Sequence, residues 1–254
     1  MWRCFRITRS DVPVTVSLFS STGSNPLNLF ESAQDNFLPE DSFLHFLEDS
    51  SSEPVPESPR KLISPPSIES NVCDGNGYSL CQTVLHIQSP TLRTTYIKSK
   101  GDLGLNHPWL SLQVRSLGRE WSFEVGVVDQ MKRVRIVRLS TFQKSARLKL
   151  PVRGKPTLLH LPLSFPMASE SSHLLTAWST VTLNLPSLMP HFSDMSLLGD
   201  DDDTSRSLST VAVGLFSHVS YVKIYSTCRL KRIWFSQEGP GADLPWEFQL
   251  YSDA

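Results

Sequence analysis

The side chains of this 254-residue chain that are best suited to binding chemistry are basic, and they cluster on segments with the alternating pattern of β-strands. One segment carries Lys132, Arg133, Arg135 and Arg138, and a second set lies near the end of the chain. Because successive strand residues point to opposite faces, we expect these charges to lie on an outer sheet face. The residues that we predict to bind a partner are Lys132, Arg133, Arg135, Lys223, Arg229, Lys231 and Arg232.

A further basic group lies in the connection between two predicted strands. Its members are Lys144, Arg147, Lys149, Arg153 and Lys155. Basic residues gathered on one face create an electropositive surface, which suits the phosphate backbone of a nucleic acid or the acidic surface of a protein polymer. The sequence therefore predicts an acidic macromolecular partner and leaves its class open.

Aromatic residues offer a second kind of binding chemistry. Trp109, Trp234 or Trp246 could stack against a sugar ring, whereas Trp121 and Trp178 fit core positions better. The aromatics that interleave with the basic residues are Tyr221, Tyr225 and Trp234. These are few for stacking against nucleic-acid bases, so nucleic acid is an unfavoured partner. Carbohydrate binding, or binding of another ligand by the same kind of fold, stays an alternative to protein binding.

No spacing typical of an enzyme or a metal site occurs in the chain. There is no G-x-S-x-G turn, no phosphate-binding G-x-x-x-x-G-K-[ST] loop and no H-E-x-x-H helix. The seven histidines lie far apart, and the four cysteines show no C-x-x-C spacing. The aspartate run at 200–203 lacks the interleaved ligands and the turn glycine of a calcium loop. We expect no catalytic residue, no metal and no cofactor.

Composition favours a reducing compartment such as the cytoplasm, because the cysteines suggest no disulfide framework. Residues 1–9 are basic but lack the apolar run of a secretory signal, and Asp11 and Pro13 interrupt the helix that a mitochondrial presequence would need. No segment approaches the roughly 20 apolar residues of a membrane span. We expect a protein that does not enter the membrane.

Alternation of apolar and polar residues predicts about ten short strands along most of the chain. The clearest case places Trp121, Phe123, Val125 and Val127 on one face. Helical periodicity is almost limited to residues 186–192. This pattern indicates an all-β fold, an antiparallel β-sandwich of jelly-roll type with one or two short helices.

Three short strands are predicted at the end of the chain. Their approximate bounds are 219–225, 228–236 and 243–251. In the second of them, Ile233 and Phe235 have the wrong parity to continue the apolar face. One extra residue at Lys231 and Arg232 would restore the phase, so we predict a β-bulge there that turns both charges outward.

Residues 31–79 differ from the rest of the chain in composition. They are rich in Ser, Pro and acidic residues, and they contain no Lys or Arg other than Arg60 and Lys61. Too few large apolar side chains occur there to offset the entropy of ordering the chain. We predict a disordered acidic insertion that contains at most a short helix at 41–47. The predicted organisation is an N-terminal segment with the first strand at 1–30, the insertion at 31–79 and the main β-sandwich domain at 80–254.

Five short segments occur in an order typical of one known family. They are VSLFSSTGSNPLNLF at 16–30, TTYI at 94–97, WSFEV at 121–125, CRLKRIWFS at 228–236 and DLPWEFQLY at 243–251. In these segments the chain resembles the cilia- and flagella-associated protein 20 family, over about residues 14–30 and 80–254. It departs from the compact family pattern in the insertion at 31–79 and in a longer stretch at about 194–216.

The resemblance implies a jelly-roll-like β-sandwich that acts as a structural, non-enzymatic component of axonemes, centrioles or basal bodies. The single-domain member of the family lies at the inner junction of doublet microtubules, where it helps to join the B tubule to the A tubule. We therefore expect a scaffold protein of the ciliary or centriolar cytoskeleton that binds tubulin or axonemal proteins through its basic sheet face. The oligomeric state is not predicted.

Overall fold

The computed structural model describes residues 13–55, 82–151, 155–165, 177–198, 213–241, 244–248 and 250. The strands are β1 (Thr15–Ser20), β2 (Phe30–Ala33), β3 (Phe43–Glu48), β4 (Thr83–Gln88), β5 (Tyr96–Ser99), β6 (Trp109–Asp129), β7 (Val134–Ser140), β8 (Arg147–Lys149), β9 (Thr157–Pro162), β10 (Ser179–Asn184) and β11 (Phe216–Ser236). The helical elements are α1 (Leu185–Leu188) and three 3₁₀ turns, Met189–Ser193, Met195–Leu197 and Trp246–Phe248. The helical signal around 186–192 is thus confirmed.

Two strands of 21 residues, β6 and β11, run antiparallel over their full length and form the frame of the molecule. Both change sheets near their midpoints. On β11, Ser226 has a φ of 59°, a left-handed conformation that interrupts the strand. On β6, the pairing jumps from Trp121 to Ser116, so residues 117–120 bulge outward and are turned by Gly118 at φ 71°. The first two predicted closing strands are therefore halves of one bent strand.

The eleven strands form one hydrogen-bonded sheet, which folds at these midpoints into two layers around a shared core. We call the two layers the first and the second sheet. The first sheet has the order β2-β5-β11-β6-β7-β9-β8. The second contains β3, β4, β11, β6 and β10, and β1 also pairs with β11. Among the pairs of described strands, β7 with β9 is parallel and the others are antiparallel. The antiparallel sandwich thus contains one parallel pair, and β8 lies on the side of β9 away from β7.

The inner faces of the two sheets pack into one hydrophobic core. Trp121, Phe123, Val125 and Val127 alternate inward on β6 as predicted, each at most 1% exposed. They share a cluster with residues from the second sheet, among them Leu112, Ile233 and Phe235. Burying a large apolar side chain contributes roughly 1.5–3 kcal/mol, so this alternation drives the two sheets together. The all-β sandwich fold is confirmed.

Residues 31–55 do not form the disordered segment that composition predicts. They include β2 and β3, and Leu47 and Asp49 are buried. The helix expected at 41–47 is wrong, because β3 pairs with β4 over its whole length, with Leu47 opposite Val84. Long-range pairing here overrides the local composition. Residues 56–79, which make up the rest of the predicted insertion, lie outside the described residues, as does the aspartate run at 200–203.

The third predicted closing strand is also wrong where it is described. Residues Trp246–Phe248 form a 3₁₀ turn that lies against the outer face of the second sheet. The ring of Phe248 meets the ring of Trp234 edge to face at 5.1 Å between centroids. The Gln113 side-chain amide donates a hydrogen bond to the Phe248 carbonyl at 2.5 Å. Phe248 therefore covers a sheet face, and the turn that carries it does not extend the sheet.

Candidate partner-binding surface

The structure buries three of the seven basic residues that were predicted to face a partner. Arg135 is 2% exposed, Arg229 is 7% exposed and Lys231 is 5% exposed. Their side chains do point to the sheet face away from the core. At these positions, however, that outer face is also covered by other parts of the protein. Their prediction as outward-facing binding residues is therefore wrong.

Arg229 lies in a polar network centred on the buried carboxylate of Asp49. The Arg229 Nη1 atom donates to Asp49 Oδ1 at 2.7 Å, and Nη2 donates to Ser52 Oγ at 2.6 Å. Asp49 also accepts hydrogen bonds from Arg115 Nη1 at 3.2 Å and from Trp178 Nε1 at 2.8 Å. One carboxylate thus joins the paired strands β3 and β4 to the central strands, and Arg229 has a structural role.

The bulge predicted at Lys231 is confirmed, but it does not turn both charges outward. Leu230 pairs with Val114 and Arg232 pairs with Gln113, so Lys231 is the extra residue. Burial, and secondarily the charge of Arg232, lowers the pKa of Lys231 to about 8. The guanidinium of Arg232 is half-buried and lies 4.3 Å from the ring centroid of Phe248. The bulge restores the apolar phase of β11 without making a basic docking patch.

The basic residues of the β6–β7 turn bind a carboxylate of that turn. Arg133 Nε donates to Asp129 Oδ2 at 3.1 Å, and Arg135 Nη2 lies 3.7 Å from the same oxygen. The guanidinium of Arg135 also packs over the ring of Phe192, at 5.3 Å. Lys132 alone of this group is exposed, at the tip of the hairpin with a φ of 61°. The turn therefore presents one ammonium group, not a basic cluster.

Ionisable residues, all of them charged at neutral pH except one histidine, stand directly opposite one another across the seven strands of the first sheet, on its outer face. This charged row consists of Glu31, Lys98, Lys223, Glu124, Arg138, His160 and Arg147. Lys98 pairs with Glu31 at 3.2 Å. Arg138 Nε donates to Glu124 Oε1 at 2.6 Å. The two acidic members, Glu31 and Glu124, lie on β2 and β6. The members on β7, β9 and β8 are Arg138, His160 and Arg147, so this end of the row is basic.

Lys223 lies in the middle of the charged row, half-buried between two tyrosines. Its Nζ is 3.4 Å from the ring centroid of Tyr96 and 4.4 Å from that of Tyr225. Burial lowers the pKa of Lys223, while the charge of Glu124 acts in the opposite direction. Cation–π contacts of this kind hold the ammonium group against the sheet. Lys223 is therefore engaged within the molecule.

A groove at the basic end of the charged row gathers charges from four separate segments. Two adjoining cavities of about 190 and 260 Å³ share Phe142, Gln143 and Lys149 as lining residues. We call this feature the basic groove, and its basic residues are Arg93, Arg138, Lys144, Arg147 and Lys149. All of them except Arg138 are exposed. Within the described part of the chain, none of those four exposed residues forms an ion pair.

His160 lies on the floor of the basic groove and is 5% exposed. Its Nε2 atom lies 2.7 Å from Ser140 Oγ, and Phe142 meets its ring edge to face at 5.8 Å. Burial, together with the charges of Arg138, Lys149 and Arg93, lowers the pKa of His160 to about 4. The imidazole is therefore neutral at physiological pH, and the positive charge of the groove resides on its Arg and Lys side chains.

The aromatic residues considered as sugar platforms are largely covered. Trp234 is 1% exposed beneath Phe248. A Cβ atom at Gly239 would lie 2.7 Å from the ring of Trp109, so the backbone at Gly239 packs directly on that indole. Trp121 and Trp178 are buried, as predicted. The side chain of Trp246 lies outside the description.

Sequence reasoning found part of the basic groove. Lys144, Arg147 and Lys149 belong to the further basic group predicted between strands, whereas Arg153 lies outside the described residues. Arg93 was missed, because it lies in the turn before β5 and no local pattern marks it. It lines the same cavity as Lys149 only because segments that are distant in sequence pair in the sheet.

Neither a metal site nor a membrane-spanning helix occurs among the residues that the structure describes. No group of three or more His, Cys, Asp or Glu side chains in the described ranges is arranged to hold a metal ion. No described helix is long and apolar enough to cross a membrane.

Comparison with known proteins identifies relatives of this chain. Cilia- and flagella-associated protein 20 of Chlamydomonas reinhardtii is 28% identical over 174 residues, covering 66% of this chain and 74% of that protein. The protein of the same name from Paramecium tetraurelia is 26% identical and that from Caenorhabditis elegans 25%, again over 66% of this chain and over 73% and 68% of theirs.

A structural comparison adds only a weak likeness. The xyloglucanase domain of NopAA from Sinorhizobium fredii matches with a TM-score of 0.28 and 10% identity, over 66% of this chain and 89% of that one. A likeness this low does not support the carbohydrate-binding alternative. The CFA20 domain model, in contrast, matches residues 54–194, which include every basic residue of the groove. The chain therefore belongs to the CFA20 domain family.

Proposed function

We propose that this protein is a non-enzymatic structural component of cilia or flagella, located in axonemes, basal bodies or centrioles. It binds an acidic surface of doublet microtubules, or of a protein associated with them, through the basic groove. The proposal is supported by membership of the CFA20 domain family, whose matched relatives are named as cilia- and flagella-associated proteins.

The observation that carries the proposal is the difference between the groove and the other basic residues. Arg133, Arg135 and Arg229 are bound to internal carboxylates. Arg93, Lys144, Arg147 and Lys149 are exposed and have no ion pair among the residues that the structure describes. Exposed charges of one sign gathered along a concavity raise the local potential and steer an oppositely charged partner to it. The docking surface is thus the β7–β9–β8 end of the first sheet, not the closing strands.

The same face is poorly suited to the two alternative ligands. Nucleic-acid bases and sugar rings need open aromatic faces to stack on. On the outer face of the first sheet, Lys223 lies over the rings of Tyr96 and Tyr225, and Lys98 lies 5.5 Å from the ring centroid of Tyr221. A protein surface with many carboxylates needs only the cations, so it is the partner that the geometry favours.

The proposal is tested by fractionating ciliated cells that express the tagged protein. We expect wild-type protein to stay with demembranated axonemes or basal bodies and to be released by high salt. The double variant Arg93→Glu/Lys149→Glu should be released by mild detergent alone. Lys132→Glu is the matched control, because it reverses an exposed charge at a hairpin away from the groove, and it should behave like wild type.

Direct binding is tested by co-sedimentation of purified protein with microtubules over a range of salt concentrations. Screening by salt should weaken association, and the double reversal should abolish it at low salt. Release of wild-type protein from axonemes by detergent alone would count against the proposal. So would binding that is equal for the double variant and Lys132→Glu, or salt-sensitive binding to RNA in place of the microtubule structures.

A further inference from the structure

We propose that the inner end of the basic groove is a pocket for one carboxylate, supplied by a glutamate or aspartate side chain in an acidic segment of the partner protein. This inference rests on the proposed function and names the chemistry that the groove recognises. We call the site the carboxylate pocket. Its lining residues are Leu92, Arg93, Ser122, Arg138, Phe142, Gln143, Lys149, His160 and Tyr225.

The register of the sheet explains why the charges converge. Arg138 on β7 stands opposite His160 on β9, and Arg147 on β8 stands opposite the same histidine. Lys149 is two residues further along β8 on the same face, and Arg93 reaches the site from the turn before β5. The positive charges of Arg138, Lys149 and Arg93 all act on the His160 ring, where they lower its pKa. Three cations from three segments are therefore directed at one small volume.

The pocket lacks a counterion among the described residues. Glu124 is the nearest carboxylate in the charged row, and it accepts two hydrogen bonds from Arg138. Glu124 is also 4% exposed and has Lys223 opposite it on β11, so it does not reach across to Lys149 or Arg93. One bound carboxylate would offset the charge that these two side chains leave.

The size of the cavity suits a side chain better than a larger ligand. Its volume of about 190 Å³ is below the roughly 300–1,000 Å³ of sites that enclose drug-sized molecules. Leu92 and Phe142 supply apolar walls that fit the methylene groups of an acidic side chain, and Ser122, Gln143 and the guanidinium groups offer hydrogen-bond donors to its oxygens. The carboxylate pocket would thus bind one carboxylate, while the adjoining cavity of the basic groove attracts the rest of an acidic segment.

The test uses the full-length protein and three fluorescent peptides of equal length. One is rich in glutamate, the second has glutamine at every glutamate position, and the third carries phosphoserine at one of those positions. Anisotropy measures affinity, and NMR of the histidine rings, assigned with His160→Gln, reports on the pocket itself. We expect the glutamate peptide to bind, to shift the His160 signals and to raise the His160 pKa, and we expect the glutamine peptide to do none of these.

Two charge-neutral variants block the cavity without changing the electrostatics of the groove. Leu92→Trp and Gln143→Trp each add an aromatic ring to the lining of the pocket. Each should lower the affinity for the glutamate peptide at least tenfold and leave the unfolding midpoint unchanged. Either variant suffices if the other fails to fold. Unchanged affinity in a folded variant, or binding that leaves the His160 signals in place, would overturn the carboxylate pocket. Tenfold tighter binding of the phosphoserine peptide would reassign it to phosphate.

The outcomes separate this inference from the proposed function. Axonemal retention that depends on Arg93 and Lys149 but survives Leu92→Trp and Gln143→Trp would sustain the function and overturn the pocket. Glutamate-peptide binding at His160 in a protein that mild detergent releases from axonemes would sustain the pocket and overturn the function.

Discussion

Arg229 on the last strand donates a 2.7 Å hydrogen bond to the carboxylate of Asp49, which lies 180 residues earlier in the chain. The Asp49 side chain is fully buried, and Arg115 and Trp178 donate to it as well. A buried ion pair adds little net stability, but removing one partner leaves an uncompensated charge. Because of this contact, Arg229 stabilises the sandwich and does not bind a partner.

Replacing Asp49 should destabilise the protein strongly. In Asp49→Asn the side-chain volume is kept but the buried Arg229 guanidinium loses its counterion, so we expect a loss of about 3–5 kcal/mol in the free energy of unfolding. Urea denaturation measures it. The control is Asp102→Asn, whose side chain is 63% exposed beside His218 and should change stability by less than about 1 kcal/mol. Equal effects of the two substitutions would contradict a structural role for the network.

Removing the charge of Lys231 should stabilise the protein at neutral pH. Burial lowers the pKa of Lys231 from 10.5 to about 8, so between these values the unfolded chain binds more protons and stability rises with pH. Lys231→Met, which keeps the volume, should raise the unfolding free energy at pH 7 by at most about 3 kcal/mol. The gap from wild type should shrink as pH rises from 8 toward 10.5.

Chemical denaturation of both proteins at several pH values between 7 and 10 measures this gap. The charged groups that face Lys231 are Arg232 and Asp49, and both are the same in the two proteins. A loss of stability in Lys231→Met at pH 7 would mean that the ammonium group makes a net favourable contact in the bulge.

His160 should make the fold sensitive to acid. Burial, with the charges of Arg138, Lys149 and Arg93, lowers the pKa of His160 from 6.5 to about 4. Because the unfolded chain binds more protons between those values, the stability that the neutral imidazole contributes is present above pH 6.5 and is lost as pH falls through 4. His160→Gln keeps a polar group near Ser140 and should reduce this acid loss by at most about 3 kcal/mol.

The acid prediction is measured as the difference in urea midpoint between His160→Gln and wild type from pH 7 to pH 4. His191→Gln is the comparison, because His191 is an exposed residue of the Met189–Ser193 turn, and it should retain the wild-type dependence. Parallel curves for His160→Gln and wild type would show that His160 is not held neutral by its surroundings.

A side chain at Gly126 should disrupt the outer face of the first sheet. A Cβ atom there would overlap the ring of Tyr221 and the hydroxyl of Ser220. Gly126→Ala should therefore cost about 1–3 kcal/mol in unfolding free energy, as overpacking does. In a double-mutant cycle, Tyr221→Ala should remove most of that cost, because it removes the ring that the new methyl group meets. If the effects of the two substitutions on the unfolding free energy are additive, the strain does not arise from the contact with Tyr221.

Alternation along the chain was sufficient to locate the strands with one buried face. Trp121 to Val127 is the clearest example, since every second residue enters the core whatever the strand pairs with. It did not reveal that β6 and β11 are each one long strand, because a strand that changes sheets at Ser226 looks in sequence like two strands and a turn. The segment Phe43–Glu48 was misread for a related reason, since only its pairing with β4 makes it a strand.

The sequence by itself determined the fold class and the family, and it showed that Lys and Arg outnumber Asp and Glu within residues 79–254. These features can be read from the sequence because periodicity and composition are local properties. Only the tertiary structure determined which basic side chains form ion pairs with carboxylates among the described residues and which do not. Arg229 meets Asp49 across 180 positions, whereas Arg93 and Lys149 come together at a groove from segments that share no local pattern. Whether a cation binds a partner depends on the carboxylates within a few ångströms of it, and strand pairing between distant segments sets those distances.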